Sequence, residues 1–161
     1  MKYSYAFTAP INPPSATPKL TRAQVWEGLV HKARDPIKYV PGMATCEVLE
    51  ENADGLTRQI SLKPGSGPPG KVTEKVVFKK EVRADFEMVD LGNTISNIIS
   101  DGEGESDLYL TFTFNLNFPD IQEGTQEATE RAERMQGTAE TAVGMTINQI
   151  RSTVKEQAGK V

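Results

Sequence analysis

Arg58, Glu74 and Asn97 stand where alternating strands would place apolar side chains. Arg58 falls in the series Leu56, Arg58, Ile60, Leu62, and Glu74 in Val72, Glu74, Val76, Phe78. Asn97 lies between Ile95 and Ile99 on the same parity. Successive side chains of a strand point to opposite faces, so each polar group shares the face of its apolar neighbours. A guanidinium or carboxylate in a dry interior is costly unless it has a partner or water. Arg58 and Glu74 belong to successive strands expected to pair as a hairpin, opposite or diagonal to each other. Three readings are open. The two form a buried ion pair that fixes register, or they form a polar patch in a pocket, or the strand register is shifted and both meet water. In the pocket reading Arg58 holds a carboxylate, enolate or phenolate oxygen. Glu74 then moves a proton.

Other chemistry is thinly represented. His31 is the only histidine and Cys46 the only cysteine. His31 sits beside the apolar stripe of its helix, where an exposed histidine is expected. Cys46 lies on the apolar parity of its strand and reads as a small buried hydrophobe. One histidine and one cysteine argue against a structural zinc site, and one cysteine excludes an intrachain disulfide. The glycines between Gly65 and Gly70 follow a strand without opening a helix, so they form no phosphate cradle. No dinucleotide or Walker motif is present, and any catalysis is expected to need no cofactor and no metal.

These residues need elements to position them. Lys2 to Thr8 alternates, with Tyr3, Tyr5 and Phe7 on one face. Four prolines between Pro10 and Pro18 then forbid regular structure. Thr21 and Gln24 have the spacing of a capping box, and Val25, Trp26, Leu29, Val30 and Ala33 form the buried stripe of the helix that follows. Pro36 ends that helix, leaving a short second helix or an irregular turn up to Pro41. From Ala44 to Asn117 the chain reads as six strands of an antiparallel meander with one buried face. The first carries Ala44, Cys46 and Val48 on its inner parity, and the last Leu108, Leu110, Phe112, Phe114 and Leu116. Pro64 to Gly70 is a glycine- and proline-rich loop, expected to be mobile, and Asp101 to Ser106 a polar turn.

One long helix is expected from about Gln122 to Gln157. Its apolar face carries Ala128, Ala132, Met135, Ala139, Val143, Ile147 and Ile150 at gaps of three and four. The bulk on that face grows toward the C-terminus, so a gap between sheet and helix is expected nearer the N-terminal half. Residues expected to wall it are Trp26, Tyr39, Ile60, Val76, Phe86, Phe112, Phe114, Met135 and Ala139, with Tyr39, Val40 and Met43 as a gate. Alternatively, the inward phenylalanines fill the space.

The 161 residues fit one domain covering the whole chain. A net charge of −4 with scattered lysines and arginines supplies no field for nucleic acid or an anionic membrane. The N-terminus has no apolar signal segment, and no run is long enough to span a membrane. The expected compartment is the cytoplasm.

Several stretches resemble a known family. They are "LTRAQVWEGLVHKARDP" ending at Pro36, "CEVLEE" and "GLTRQI" between Cys46 and Ile60, "VTEKVVF" at Val72 to Phe78, "NTISNIIS" at Asn93 to Ser100 and "LYLTFTF" at Leu108 to Phe114. They are similar to the fungal AtaL-like family of the SRPBCC (START/Bet v 1-like polyketide cyclase) superfamily. The resemblance implies an α+β helix-grip fold, a curved sheet of about seven strands wrapped around a long C-terminal helix with a deep pocket between them. It also implies a place in fungal secondary metabolism. The expected function is a cofactor-free cyclisation, dehydration or isomerisation of a polyketide- or peptide-derived intermediate, with Arg58, Glu74 and Asn97 as catalytic candidates. The alternative is a non-catalytic carrier for an apolar metabolite or lipid. A hydrophobic small molecule is the expected partner, and a homodimer is a further possibility.

Overall fold

Alternation carried through seven strands produces a single antiparallel sheet in the computed structural model, which describes residues 1–104 and 107–159. The strands are β1 (Lys2–Pro10), β2 (Met43–Asn52), β3 (Gly55–Leu62), β4 (Lys71–Lys79), β5 (Arg83–Met88), β6 (Asn93–Asp101) and β7 (Leu108–Asn117). Their order across the sheet is β1-β7-β6-β5-β4-β3-β2. β2 to β7 form the expected meander, and β1 pairs along the free side of β7. Two helices lie on the concave face, α1 (Arg22–Arg34) and α2 (Gln126–Ala158).

The register aligns the inward side chains in rows. One row runs Leu56, Val76, Phe86, Ile95, Phe114, Tyr5. The next runs Phe78, Ala84, Asn97, Phe112, Phe7. On the other side of the first lies Arg58, Glu74, Met88. The hairpin between β2 and β3 needs Gly55, because a Cβ there would meet the Val76 carbonyl. The loop from Pro64 to Gly70 joins β3 to β4. Part of the expected turn after β6, Glu105 and Ser106, lies outside the described residues.

The expected capping box starts α1: Thr21 Oγ1 accepts from Gln24 N, and Gln24 Oε1 accepts from Thr21 N. Pro36 stops the helix as expected. The segment after it is a turn, not a second helix, with Tyr39 N and Val40 N both donating to Pro36 O. α2 begins four residues later than its periodicity suggested. Gly124 adopts positive φ and Thr125 is extended, with its hydroxyl accepting from Ala128 N, so the first turn is set there.

β2 keeps its predicted parity only in its middle, where Cys46 and Val48 pair with the inward Ile60 and Arg58. Register shifts between Met43 and Thr45 and between Val48 and Glu50 each turn the strand over. Met43 is buried, Ala44 and Val48 are exposed, and Cys46 is only half-buried. Alternation cannot be counted across an irregular edge strand.

α2 packs chiefly on β1 and β7, whereas α1 crosses β6 and β2 and leans on α2. Trp26 of α1 meets Phe78 edge to face at 5.8 Å. Arg22 anchors the start of α1 on Glu81 O and Asp101. Arg151 of α2 donates to the Pro18 and Ile11 carbonyls and holds the proline-rich segment down. The helices meet at Gly28, where any Cβ would run into the Ile150 side chain. Gly28→Ala is therefore expected to cost about 1–3 kcal/mol through overpacking. In urea denaturation the Gly28→Ala/Ile150→Ala double variant should lose less than the sum of the two single losses; additivity would show that the contact does not set the helix spacing.

Candidate functional site

Arg58 and Glu74 sit directly opposite each other on β3 and β4. Both are buried, at 4% and 3% exposure. Nε and Nη2 of Arg58 converge on one carboxylate oxygen, Oε2 of Glu74, at 2.8 and 2.5 Å. Nη1 donates to the Ala33 and Lys32 carbonyls at 2.7 and 3.3 Å. Those carbonyls end α1, whose last turn lacks intrahelical donors. The arginine thus neutralises a buried carboxylate and caps a helix in one contact, and its guanidinium also lies 5.2 Å from the centre of the Phe86 ring.

That cap fixes the backbone of Lys32, whose side chain enters the concave face. Lys32 is 7% exposed. Its Nζ donates to Asn97 Oδ1 at 2.8 Å and lies 4.7 Å from the Phe112 ring centre and 4.9 Å from that of Phe86. Burial first, then the positive charge of Arg58, pushes the ammonium down to about 7, with Glu74 acting against them. Near neutral pH this amine is divided between its two protonation states. Asn97 is fully buried, and its Nδ2 donates to no group among the described residues. Since the lysine requires an acceptor, Oδ1 faces Lys32 and Nδ2 is the spare donor.

The three polar candidates from the strands therefore meet through a fourth residue that strand parity could not reveal. Lys32 carries a signal of its own: it lies three residues after Leu29 and seven after Val25, on the buried stripe of α1. A lysine there reads by default as a charge snorkelling to solvent. Here Asn97 and two aromatic faces hold it inside.

The other expected residues divide. Phe86 and Phe112 frame the amine. Val76 and Phe114 lie in the same row as Phe86, both buried. Ile60 belongs to a smaller cluster with Met43 and Val72. Trp26 and Ala139 are packed in the main core, and Met135 is half-buried against it. Tyr39 is a core residue at 2% exposure, not a gate, and its hydroxyl is hydrogen-bonded with His31 Nδ1 at 3.2 Å. His31 itself is exposed. Cys46 Sγ donates to Arg34 O, and burial pushes the thiol pKa up, away from nucleophile chemistry.

The concave face is sealed where α1 and the turn after it cover β3 and β4. Met88 and Ile95 stay half-exposed although β5 and β6 are paired on both sides. The polar cluster itself is closed over, with Lys32 at 7% and Asn97 at 0% exposure. Two shallow recesses elsewhere lie around Arg22 at the start of α1, one beside Leu20 and Leu108 and the other beside Lys80 and Ile99. Neither contains the polar cluster. Among the described residues no group of three histidine, cysteine or acidic side chains could hold a metal, and no helix is long and apolar enough to cross a membrane.

A seven-stranded sheet gripping a long C-terminal helix, with a polar cluster in its concave face, defines a helix-grip protein. The chain belongs to the AtaL family, described as acetylaranotin biosynthesis cluster protein L, which it matches over residues 5–157. A curated relative, acetylaranotin biosynthesis cluster protein L of Aspergillus terreus, is 26% identical over 130 residues, covering 80% of this chain and 74% of the relative. Among solved structures the fold is similar to the Zhui aromatase/cyclase of Streptomyces sp. R1128 (TM-score 0.64, 14% identity), covering 98% of this chain and 96% of that one. It is also similar to the di-domain aromatase/cyclase StfQ from the steffimycin biosynthetic pathway (TM-score 0.67, 11% identity). There 98% of this chain covers 52% of the other, so the chain spans about half of the di-domain protein.

Two outcomes are expected. Glu74→Gln leaves the Arg58 guanidinium buried without its charge partner and should cost about 3–5 kcal/mol. Replacing the pair by Arg58→Met with Glu74→Leu should cost less, and denaturant midpoints compare the two. The second concerns Lys32. Its folded pKa of about 7 lies below the ordinary 10.5, so the unfolded chain binds more protons between those values. Stability should therefore rise as pH climbs from about 7 toward 10, by roughly a few kcal/mol. Lys32→Met should lack that rise; parallel slopes for parent and variant in urea melts across this range would contradict it.

Proposed function

We propose that this chain is a cofactor-independent enzyme of secondary metabolism that cyclises, dehydrates or isomerises a carbonyl-rich, polyketide- or peptide-derived intermediate in the apolar space between sheet and helices. The observation that carries the reading is the Lys32 amine, nearly buried between Phe86 and Phe112, with a pKa of about 7. Ring closure between carbonyl groups needs a base to remove an acidic C–H proton and a donor for the oxygen that becomes negative. The neutral amine of Lys32 supplies the first. Asn97 Nδ2, buried and without a partner among the described residues, supplies the second. The protonated amine then returns a proton to the oxygen that leaves as water.

Arg58 and Glu74 act at one remove. Their mutual contact consumes the charge of each, and Arg58 reaches the reaction by holding the Lys32 backbone. They are positioning residues in this scheme, and Lys32 and Asn97 are the catalytic ones. The aromatic and aliphatic row of Phe86, Ile95 and Phe114 binds the apolar body of the substrate. Family membership and the aromatase/cyclase neighbours support the substrate class.

Heptane-2,6-dione is a suitable probe, because its intramolecular aldol condensation gives a methylcyclohexenone and water, followed by the enone absorbance. The parent protein should accelerate closure, with a rate that rises with pH through about 7. Lys32→Met and Asn97→Leu should each lose about 10²-fold. Arg58→Lys, which keeps a donor for the α1 carbonyls, should retain more activity than Arg58→Met. A parent protein no faster than buffer, or a Lys32→Met variant as fast as the parent, would sink the assignment.

A further inference from the structure

We propose that Lys32 acts as a nucleophile as well as a proton carrier, condensing with a ketone of the substrate to form an iminium through which ring closure proceeds. This rests on the reading above and assigns a covalent step and a substrate requirement, a ketone carbonyl, to the same amine.

The geometry is that of an activated amine. A lysine becomes nucleophilic when an apolar pocket or a neighbouring cation favours its neutral form. Lys32 has both: two aromatic rings lie within 5 Å of Nζ by ring centre, and Arg58 lies on the adjoining strand row, its guanidinium bound to the Lys32 carbonyl. Glu74 is the carboxylate of this cluster, and its Oε2 is engaged by two nitrogens of Arg58. Among the described residues the amine therefore joins no ion pair, and its polar contact is to a neutral amide. That contact holds Nζ in place while leaving Asn97 Nδ2 free to donate to the oxygen of an incoming ketone. The ketone would come past Met88 and Ile95, which are only half-buried.

The step balances without any further reagent. The neutral amine nitrogen bonds to the ketone carbon, and the carbonyl oxygen takes a proton to give a carbinolamine. A second proton on that oxygen lets it leave as water, and the carbon–nitrogen double bond forms. The water released takes an adjacent C–H proton to give the enamine, whose carbon attacks the second carbonyl, and the new alkoxide takes that proton. That hydroxyl then leaves as water with a remaining proton of the attacking carbon, giving the conjugated iminium. Water adds back to the carbon–nitrogen bond and releases the enone and the free amine. The water spent equals the water formed in making the iminium, so the net products are the enone and one water.

The test uses the unaltered protein with heptane-2,6-dione and sodium cyanoborohydride, which reduces an iminium to a stable secondary amine. Peptide mass spectrometry then locates the adduct, a mass gain equal to the diketone less one oxygen. At pH 7 labelling at Lys32 should exceed labelling at an exposed lysine such as Lys75 on the order of 10- to 100-fold. The adduct should also inactivate the enzyme in proportion to labelling, and Lys32→Arg should carry none at that position. Labelling spread evenly over surface lysines overturns the proposal, as does an unlabelled Lys32 in a protein that still closes the ring. In the last case acid–base catalysis by Lys32 stands and only the covalent step is lost. Failure of the parent to accelerate closure, with Lys32 unlabelled, removes both.

Discussion

The guanidinium of Arg58 is the constraint on which the rest of this site depends. A helix ending over a sheet leaves carbonyl groups that water would otherwise satisfy, and a carboxylate on the sheet beneath it would be expensive to bury alone. One planar cation resolves both, because its donors point in fixed directions: two nitrogens toward Glu74 and one toward Ala33 and Lys32. A lysine at the same place could not span both partners with that rigidity. The end of α1 is thereby pinned to β3 and β4, and the side chain of its last buried turn is delivered to the concave face at one height.

From that pin the remaining geometry follows. Gly28 lets α1 approach α2, and Arg22 ties the other end of α1 to β6 and the turn before β5. With both ends fixed, α1 covers one part of the sheet and α2 the other, and the two helices meet at Gly28. The polar cluster lies beneath the C-terminal end of α1. Its charge is arranged so that the carboxylate and the guanidinium answer each other, while the amine is left to a neutral partner and two aromatic faces. An amine so placed has a proton affinity set by its surroundings more than by its own chemistry.

Much of this was written plainly in the sequence. Period-two alternation in β3, β4, β6 and β7 marked Arg58, Glu74 and Asn97 as inward, and the short β3–β4 connection brought the first two into register. Capping residues at Thr21 and the break at Pro36 located α1. Other features were not legible, for identifiable reasons. β2 lies at an edge, where an irregularity at Ala44 breaks the alternation; Cys46 and Val48 do pair with the inward Ile60 and Arg58, but at the edge Val48 is left uncovered. Tyr39 flanks the region where helix-grip folds open their pocket, which suggests a gate, but the turn at Pro36 folds it into the core. Lys32 was hidden by its own flexibility. A long side chain on an apolar stripe can run outward or inward, and only the tertiary partner, sixty-five residues away at Asn97, decides which.

The edge irregularities have a bearing on how copies of the chain meet. An exposed, flat strand invites another to hydrogen-bond along it. β2 is exposed on its far side, carries Glu47, Glu50 and Glu51, and is kinked out of regular spacing twice within ten residues. Its amide and carbonyl groups cannot form an unbroken ladder with an identical strand, and its carboxylates would repel their own copies. The same departures from alternation therefore guard the sheet against open-ended growth into fibres, and they leave the chain free to expose apolar residues such as Val48 and Leu49 without that hazard.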